Sequence, residues 1–151
     1  MLRKPCNNAG FTLFEMLITL SILSILMYIA VPFYSEIINK KDLETAKSRI
    51  IHSLQKAKRI ANAENTFVEI NISNNKIQLK PQNSSESLSI IIPDRISTDS
   101  DISFTFNATG TVYNEDDQSI DGITSIKIKP ESNPSLFETI TISNTGIIAS
   151  L

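Results

Sequence analysis

The chain has 151 residues, of which 41% are hydrophobic and 20% charged, a composition that suits one modest domain and one special segment. Its formal net charge of -2 is too small to indicate a nucleic acid or a membrane surface as a partner. The single cysteine, Cys6, excludes an intramolecular disulfide. The charge is unevenly distributed: Lys40 to Arg59 is basic, whereas acidic residues dominate from Thr66 to the end.

An apolar segment near the N-terminus has the length of a membrane span. Residues 16–34 carry no charge, and as a helix they extend about 28 Å, close to the roughly 30 Å hydrocarbon core of a bilayer. Arg3 and Lys4 precede the segment, so the positive-inside rule predicts a cytoplasmic N-terminus. A conventional secretory signal is disfavoured, because cleavage after Ala30 places Tyr28 where a small residue is needed.

Glu15 is an acidic residue one turn into this otherwise apolar helix. A carboxylate within a membrane costs about 2.5–3.5 kcal/mol on insertion scales, so it usually has a partner and a function. Cleavage between Gly10 and Phe11 would create an α-amine four residues before Glu15. The residues alone leave two interpretations: the carboxylate pairs with the amine of a neighbouring subunit, or it extends to the cytoplasmic head groups. A plain single-span anchor explains the apolar run but not Glu15.

The string GFTLFE, from Gly10 to Glu15, followed by a long apolar helix, resembles the class III signal of type IV pilins and type II secretion pseudopilins. The resemblance implies that prepilin peptidase cleaves after Gly10 and methylates Phe11. It also implies that Glu15 is the filament assembly residue. Pro32 lies where these proteins commonly carry a helix-distorting proline. Because proline lacks an N–H group and crowds the preceding turn, a helix kink is expected at Pro32.

After residue 34 the helix is predicted to continue to about residue 63. Apolar residues recur there at steps of three or four, which predicts a face packed on the protein's own domain. The members of this stripe are Leu43, Ala46, Ile50, Leu54, Ala57 and Ala61. The predicted division of the chain is a leader peptide (1–10), which the resemblance implies, a transmembrane assembly helix (11–34), its amphipathic continuation (35–63) and a β-rich domain (64–151).

From residue 66 onward, short β-rich runs alternate with turn residues. The predicted strands are 66–72, 75–80, 87–92, 101–106, 110–113, 122–129, 137–142 and 145–149. Asn74 and Asn75 are predicted to form a hairpin turn, and 82–86 and 114–118 are predicted to be exposed loops. Strands that follow one long helix predict an α+β fold, with antiparallel sheets packed on the C-terminal half of the helix in a pilin-like arrangement.

Within the pilin-like group, the body resembles the GspH/FimT type of minor pseudopilin. The resemblance rests on short strings at 56–61, 68–70, 104–110 and 140–146. It implies a structural subunit of a type II secretion pseudopilus or a type IV pilus. Its partners would be other pilin or pseudopilin subunits, prepilin peptidase, the inner-membrane assembly platform and membrane lipid. It would span the bacterial inner membrane once, with a periplasmic C-terminal domain, before entering the filament.

No pattern in the sequence indicates a catalytic or metal site. His52 is the sole histidine, and the four glycines form no phosphate-binding loop. No catalytic residue, cofactor or metal ligand is therefore predicted, and enzyme activity is not expected. The acidic segment 114–121 lacks the spacing of a calcium loop. A solvated turn is its expected state, although the residues leave metal binding open.

DNA is not an expected partner. FimT-like minor pilins that bind DNA do so through an Arg-containing segment after the final glycine, whereas here Gly146 is followed by IIASL without a basic residue. Contacts with phosphate need Lys or Arg, which leaves the basic helix at 40–59 as the remaining candidate. Two alternatives to this structural role remain: a DNA-binding competence minor pilin of the FimT type, and a plain membrane-anchored periplasmic domain.

Overall fold

The computed structural model of the protein describes residues 11–73, 75–114 and 123–150. By its internal contacts the chain divides into two units after Ile37. Within the described ranges, one helix, α1 (Leu13–Glu64), is followed by nine strands. These are β1 (Val68–Ser73), β2 (Lys76–Pro81), β3 (Leu88–Ile91), β4 (Ile96–Thr98), β5 (Ile102–Phe106), β6 (Val112–Tyr113), β7 (Ile123–Pro130), β8 (Glu138–Ser143) and β9 (Ile148–Ser150).

The strands form two antiparallel sheets that pack with α1. The five-stranded sheet has the order β3-β2-β1-β5-β6, and the four-stranded sheet has the order β4-β7-β8-β9. The predicted α+β class, with one long helix packed against antiparallel sheets, is confirmed. Strand β4 was not predicted, because three residues next to Pro93 and Arg95 are too few to show a periodic pattern. Strand β9 begins at Ile148 rather than at residue 145, since 144–146 form a turn.

The core lies between the C-terminal half of α1 and the inner faces of the sheets. All six apolar residues of the predicted helix stripe are buried, and Asn39 and Ser53 join them. Full burial of a Leu or Ile side chain contributes about 1.5–3 kcal/mol, whereas the alanines of the stripe mainly allow close approach of the strands. In β1 the burial alternates along the strand: Val68, Ile70 and Ile72 are buried, and the residues between them face outward.

The end of α1 is defined by Asn65, which takes a left-handed conformation with φ 49. The amide of Thr66 donates to the carbonyl of Ala61 at 3.1 Å. This is the six-to-one hydrogen bond of a Schellman motif, in which Asn is tolerated at the left-handed position. The helix therefore ends at Glu64, one residue beyond the predicted boundary, and the chain turns directly into β1.

Three hairpins are closed by left-handed residues. Ser73 pairs with Lys76 across the β1–β2 connection, in which Asn75 has φ 59; Asn74 lies outside the described residues. The β5–β6 and β8–β9 turns share another form, a three-residue loop that ends in Gly110 (φ 84) or Gly146 (φ 68). Glycine adopts this positive φ without the steric cost that a side chain would bring.

The two glycine turns also share side-chain chemistry. Asn107 Oδ1 accepts hydrogen bonds from the amides of Thr109 (3.0 Å) and Thr111 (2.9 Å) in the first turn. In the second, Ser143 Oγ accepts one from the amide of Ile147 at 3.1 Å. In both turns a polar residue at the end of a strand satisfies backbone donors of the loop that follows it.

Candidate functional site

The first turn of α1 is closed by reciprocal hydrogen bonds between Thr12 and Glu15. Glu15 Oε2 accepts one from the Thr12 amide and one from the Thr12 hydroxyl, both at 2.9 Å. The Glu15 amide donates to Thr12 Oγ1 at 3.2 Å. This is a capping box, in which the N-cap threonine and the glutamate three residues later satisfy two of the amides that a helix N-terminus leaves free.

The capping box also fixes the position of the carboxylate. Glu15 Oε1 accepts no hydrogen bond from the described part of the chain. Phe11, directly before the cap, is 82% exposed. One oxygen of Glu15 is thus held by its own chain, while the other is available to a donor from outside. This arrangement can bind a cation or an amine without breaking the cap.

The segment after Glu15 is apolar and wholly exposed within its own unit. Among the described residues, α1 is the one helix long and apolar enough to cross a membrane, and none of its most apolar window is buried. Three Thr and Ser hydroxyls interrupt the apolar surface, and each donates to a carbonyl of the preceding turn: Thr19 to Met16 (2.9 Å), Ser21 to Leu17 (2.8 Å) and Ser24 to Leu20 (2.7 Å). These three donors are therefore satisfied within the helix and need no partner from the lipid.

Pro32 lies inside α1, which continues through it. The proline carries no amide hydrogen, so the carbonyl of Tyr28 lacks its usual helical donor. Ser35 Oγ donates to the Pro32 carbonyl at 2.8 Å. The kink expected at Pro32 stays a prediction.

Residues 5–31 match the prokaryotic N-terminal methylation motif. The match covers residues 5–10 of the expected leader, the capping box and most of the apolar run, and it identifies a type IV pilin-like prepilin signal. Such a signal implies processing by prepilin peptidase and assembly with other pilin subunits, and it is consistent with anchoring in the inner membrane. No curated protein matches the chain. No solved structure matches it either.

The individual roles predicted around the prepilin signal remain predictions. Gly10, on one side of the expected cleavage site, lies outside the described residues, whereas Phe11, Glu15 and Pro32 lie within them. The motif indicates a structural subunit rather than an enzyme. The GspH/FimT assignment and the choice of filament go beyond what the motif distinguishes.

The basic helix segment is partly engaged within the domain. Lys47 Nζ lies 2.8 Å from Glu138 Oε2 of β8, and Arg49 donates to the carbonyl of Ile91. Lys58 donates to the carbonyl of Gly146 at 2.9 Å. His52 and Arg59 are exposed and line an open groove of about 860 Å³ beside the β5–β6 turn. Three residues of the basic segment therefore contribute contacts within the domain.

The remaining candidates for metal binding fall largely outside the described residues. Of the acidic segment 114–121, only Asn114 is described. Within the described ranges, no three His, Cys, Asp or Glu residues lie close enough to hold a metal ion together. The prediction of a solvated turn at 114–121 thus stays untested by the structure.

Thr12 is the site residue that the sequence-based reasoning missed. Its signal was present as Thr-x-x-Glu directly before an apolar helix, which is the pattern of a capping box. The two interpretations of Glu15, pairing with the amine of a neighbouring subunit or extension to the head groups, included no hydrogen bond within its own helix. The structure adds an intramolecular role for the same carboxylate.

Proposed function

We propose that the chain is a minor pilin or pseudopilin, a structural subunit of a type II secretion pseudopilus or a type IV pilus. Prepilin peptidase cleaves it between Gly10 and Phe11 and methylates Phe11. Residues 11–34 hold it in the inner membrane until an assembly platform transfers it to the filament. Residues 35–63 continue the helix, and 64–151 form the periplasmic domain. The observation that carries this proposal is the prepilin signal at 5–31, within which α1 begins with a carboxylate held in a capping box.

In this proposal Glu15 joins neighbouring subunits. Cleavage frees an α-amine at Phe11, whose unperturbed pKa of about 7.7–8.0 leaves it largely charged at neutral pH. Glu15 Oε1 is free to accept a hydrogen bond from the amine of the next subunit while Oε2 stays bound to Thr12. The pairing would neutralise two charges that are costly in a membrane, and it would set the axial register of the stack.

The experiment that tests the proposal is N-terminal sequencing and intact mass measurement of the chain coexpressed with a prepilin peptidase. The expected product begins at Phe11 and carries one added methyl group. Gly10→Val serves as the control, because a bulky side chain at the cleaved bond is expected to leave the leader attached. Retention of Met1 by the unsubstituted chain, or cleavage beyond Ala30, would contradict the proposal and favour a plain anchor or a secretory signal.

A further inference from the structure

The outer face of the five-stranded sheet carries a row of polar side chains that crosses four strands. Glu69 on β1 lies opposite Lys80 on β2 and opposite Thr105 on β5. Thr105 in turn lies opposite Tyr113 on β6. Adjacent strands are about 4.8 Å apart, so this row extends about 14 Å across the sheet.

A second polar row runs beside the first, two residues further along each strand. Asn71 on β1 pairs with Gln78 on β2 and with Ser103 on β5. Gln78 also pairs with Ser89 on β3. The second row therefore presents two amides and two hydroxyls next to the carboxylate and ammonium of the first.

Two grooves follow these rows and share Glu69 and Lys80. The larger, of about 490 Å³, also contains Phe67, Gln82, Thr105 and Tyr113, and the smaller, of about 330 Å³, extends along the second row to Ser85 and Ser87. At one end the rings of Phe67 and Tyr113 meet edge to face with centroids 6.4 Å apart, and Phe67 is 46% exposed. The face is thus a shallow groove with an aromatic lip.

Four polar side chains of this groove have no partner in the described part of the domain. The side chains of Glu69, Asn71, Gln78 and Lys80 form no hydrogen bond or ion pair with any described residue. Next to and within the four-stranded sheet, by contrast, Lys129 pairs with Asp99, and two hydroxyls donate to neighbouring carbonyls. The four side chains of the groove can therefore bind a ligand without breaking a contact among the described residues.

The chemistry of the groove selects one class of ligand. Among its described lining residues, the carboxylate of Glu69 lies directly opposite the ammonium of Lys80, so these charges offset each other and do not attract an ionic ligand. An extended peptide would bind through its backbone at a sheet edge, whereas this groove lies across the face of the sheet, with Glu69 and Lys80 on the inner strands β1 and β2. Affinity must come from amides, hydroxyls and aromatic rings, which suit a ligand with many hydroxyls and apolar ring faces.

We propose that this face binds a neutral oligosaccharide. The sugar chain lies along the row from Lys80 to Tyr113, its hydroxyls bonded to Glu69 and to the amides of Asn71 and Gln78. One sugar ring packs against Phe67 and Tyr113. The proposal rests on the folded domain alone and is independent of the filament to which the chain belongs.

The test is a titration of the full chain in a zwitterionic detergent, because a detergent with a sugar head group would compete for the groove. Cellohexaose, maltohexaose and chitohexaose are titrated by calorimetry, with saturation-transfer NMR to detect weak binding. At least one of them is expected to bind with a Kd of about 0.1–1 mM. Glu69→Ala and Phe67→Ala are each expected to weaken that binding at least about tenfold.

Ser125→Ala is the matched control, since Ser125 is an exposed residue on an inner strand of the other sheet. It is expected to leave binding unchanged. Far-UV circular dichroism checks that each variant is folded, and all three positions are exposed. The proposal is overturned if none of the three sugars binds, or if binding is the same in the groove variants and the control. Tighter binding of hexagalacturonate or of an unstructured peptide at the same face would overturn it too.

Discussion

The ammonium of Lys58 donates a hydrogen bond of 2.9 Å to the carbonyl of Gly146. Its side chain crosses from α1 to the β8–β9 turn and on the way lies against Gly110 of the β5–β6 turn: a Cβ added to Gly110 would stand 2.5 Å from Lys58 Cε. The amide of Val112 donates to the carbonyl of Asn144 at 3.0 Å. The helix and a turn from each sheet are therefore joined at one point, which we call the glycine junction.

Alanine is expected to be tolerated worse at Gly146 than at Gly110. Both glycines have positive φ, which costs an L-residue about 1–2 kcal/mol. At Gly146 a Cβ would also overlap the backbone carbonyl of Gly110, whereas at Gly110 it meets the movable side chain of Lys58. We expect Gly146→Ala to lower the free energy of unfolding by about 3–4 kcal/mol and Gly110→Ala by about 1–3 kcal/mol.

Urea denaturation of the full chain in detergent, followed through its β-sheet signal, measures both values. Gln55→Ala is the control, because this helix residue is exposed and its side chain forms no hydrogen bond with the described residues. Its effect should stay within about 0.5 kcal/mol. Equal losses at the two glycines would show that backbone conformation alone, and not the close contact between the turns, decides the cost.

The ammonium of Lys58 is expected to stabilise the domain beyond the packing of its stem. Lys58→Met keeps the apolar stem but leaves the carbonyl of Gly146 without its donor, which should cost about 1–3 kcal/mol in the free energy of unfolding. The same denaturation assay measures the loss. Lys56→Met, on the exposed side of the same helix turn, provides the control. A loss no greater than that of the control would mean that the carbonyl is satisfied equally well by water.

The glycine junction shows how far the sequence alone could predict this fold. Glycine after a β-rich run is a local signal for a turn with positive φ, and Gly110 and Gly146 have that conformation. Their contact with each other could not be predicted, since they lie 36 positions apart and no local pattern records which turns meet. Lys58 gave the same difficulty, because its partner Gly146 lies 88 positions further along the chain. Long-range packing determined its role.

At the N-terminal site, by contrast, the informative signals were local in the sequence. The GFTLFE string, the apolar run and the carboxylate were all visible locally, and the prepilin signal was predicted from them. The capping hydrogen bonds between Thr12 and Glu15 were equally local but were overlooked. The polar rows on the outer face of the five-stranded sheet could not be predicted without the strand register, because Glu69, Lys80 and Thr105 come from three separate strands.

The exposed pair of Lys129 and Asp99 is expected to make stability depend weakly on pH. The hydrogen bond from Lys129 lowers the pKa of Asp99 below its usual value. Because the folded pKa lies below the unfolded value of about 3.9, the stabilisation is present above about pH 4 and is lost as the pH falls through the folded pKa. Asp99→Asn should therefore lower the Tm slightly at pH 7 and leave it unchanged at the lowest pH. High salt should shrink the difference in Tm at pH 7, because both side chains are at least partly exposed to solvent.

Glu15 is expected to act mainly in pairing between subunits and Thr12 in holding the carboxylate by helix capping, and paired variants can separate these two effects. Glu15→Gln keeps an oxygen that accepts from Thr12 but removes the charge, whereas Thr12→Ala keeps the charge and removes the cap residue. If the carboxylate pairs with the amine of a neighbouring subunit, Glu15→Gln should be processed normally and should lose most of its incorporation into filaments. Thr12→Ala should lose less, because the carboxylate remains but is no longer held in place, and Thr12→Ser should restore it.

Incorporation is measured as the fraction of the subunit recovered in sheared filaments, and processing by the mass of the membrane-bound pool. Normal incorporation of both Glu15→Gln and Glu15→Ala would remove the intermolecular role of the carboxylate. If Glu15→Ala loses incorporation while Glu15→Gln retains it fully, the carboxylate is needed for helix capping instead. The amide of Gln preserves an acceptor for the Thr12 donors, but it does not offer the negative charge that pairs with an ammonium. The capping box therefore makes Glu15→Gln the variant that decides between the two roles.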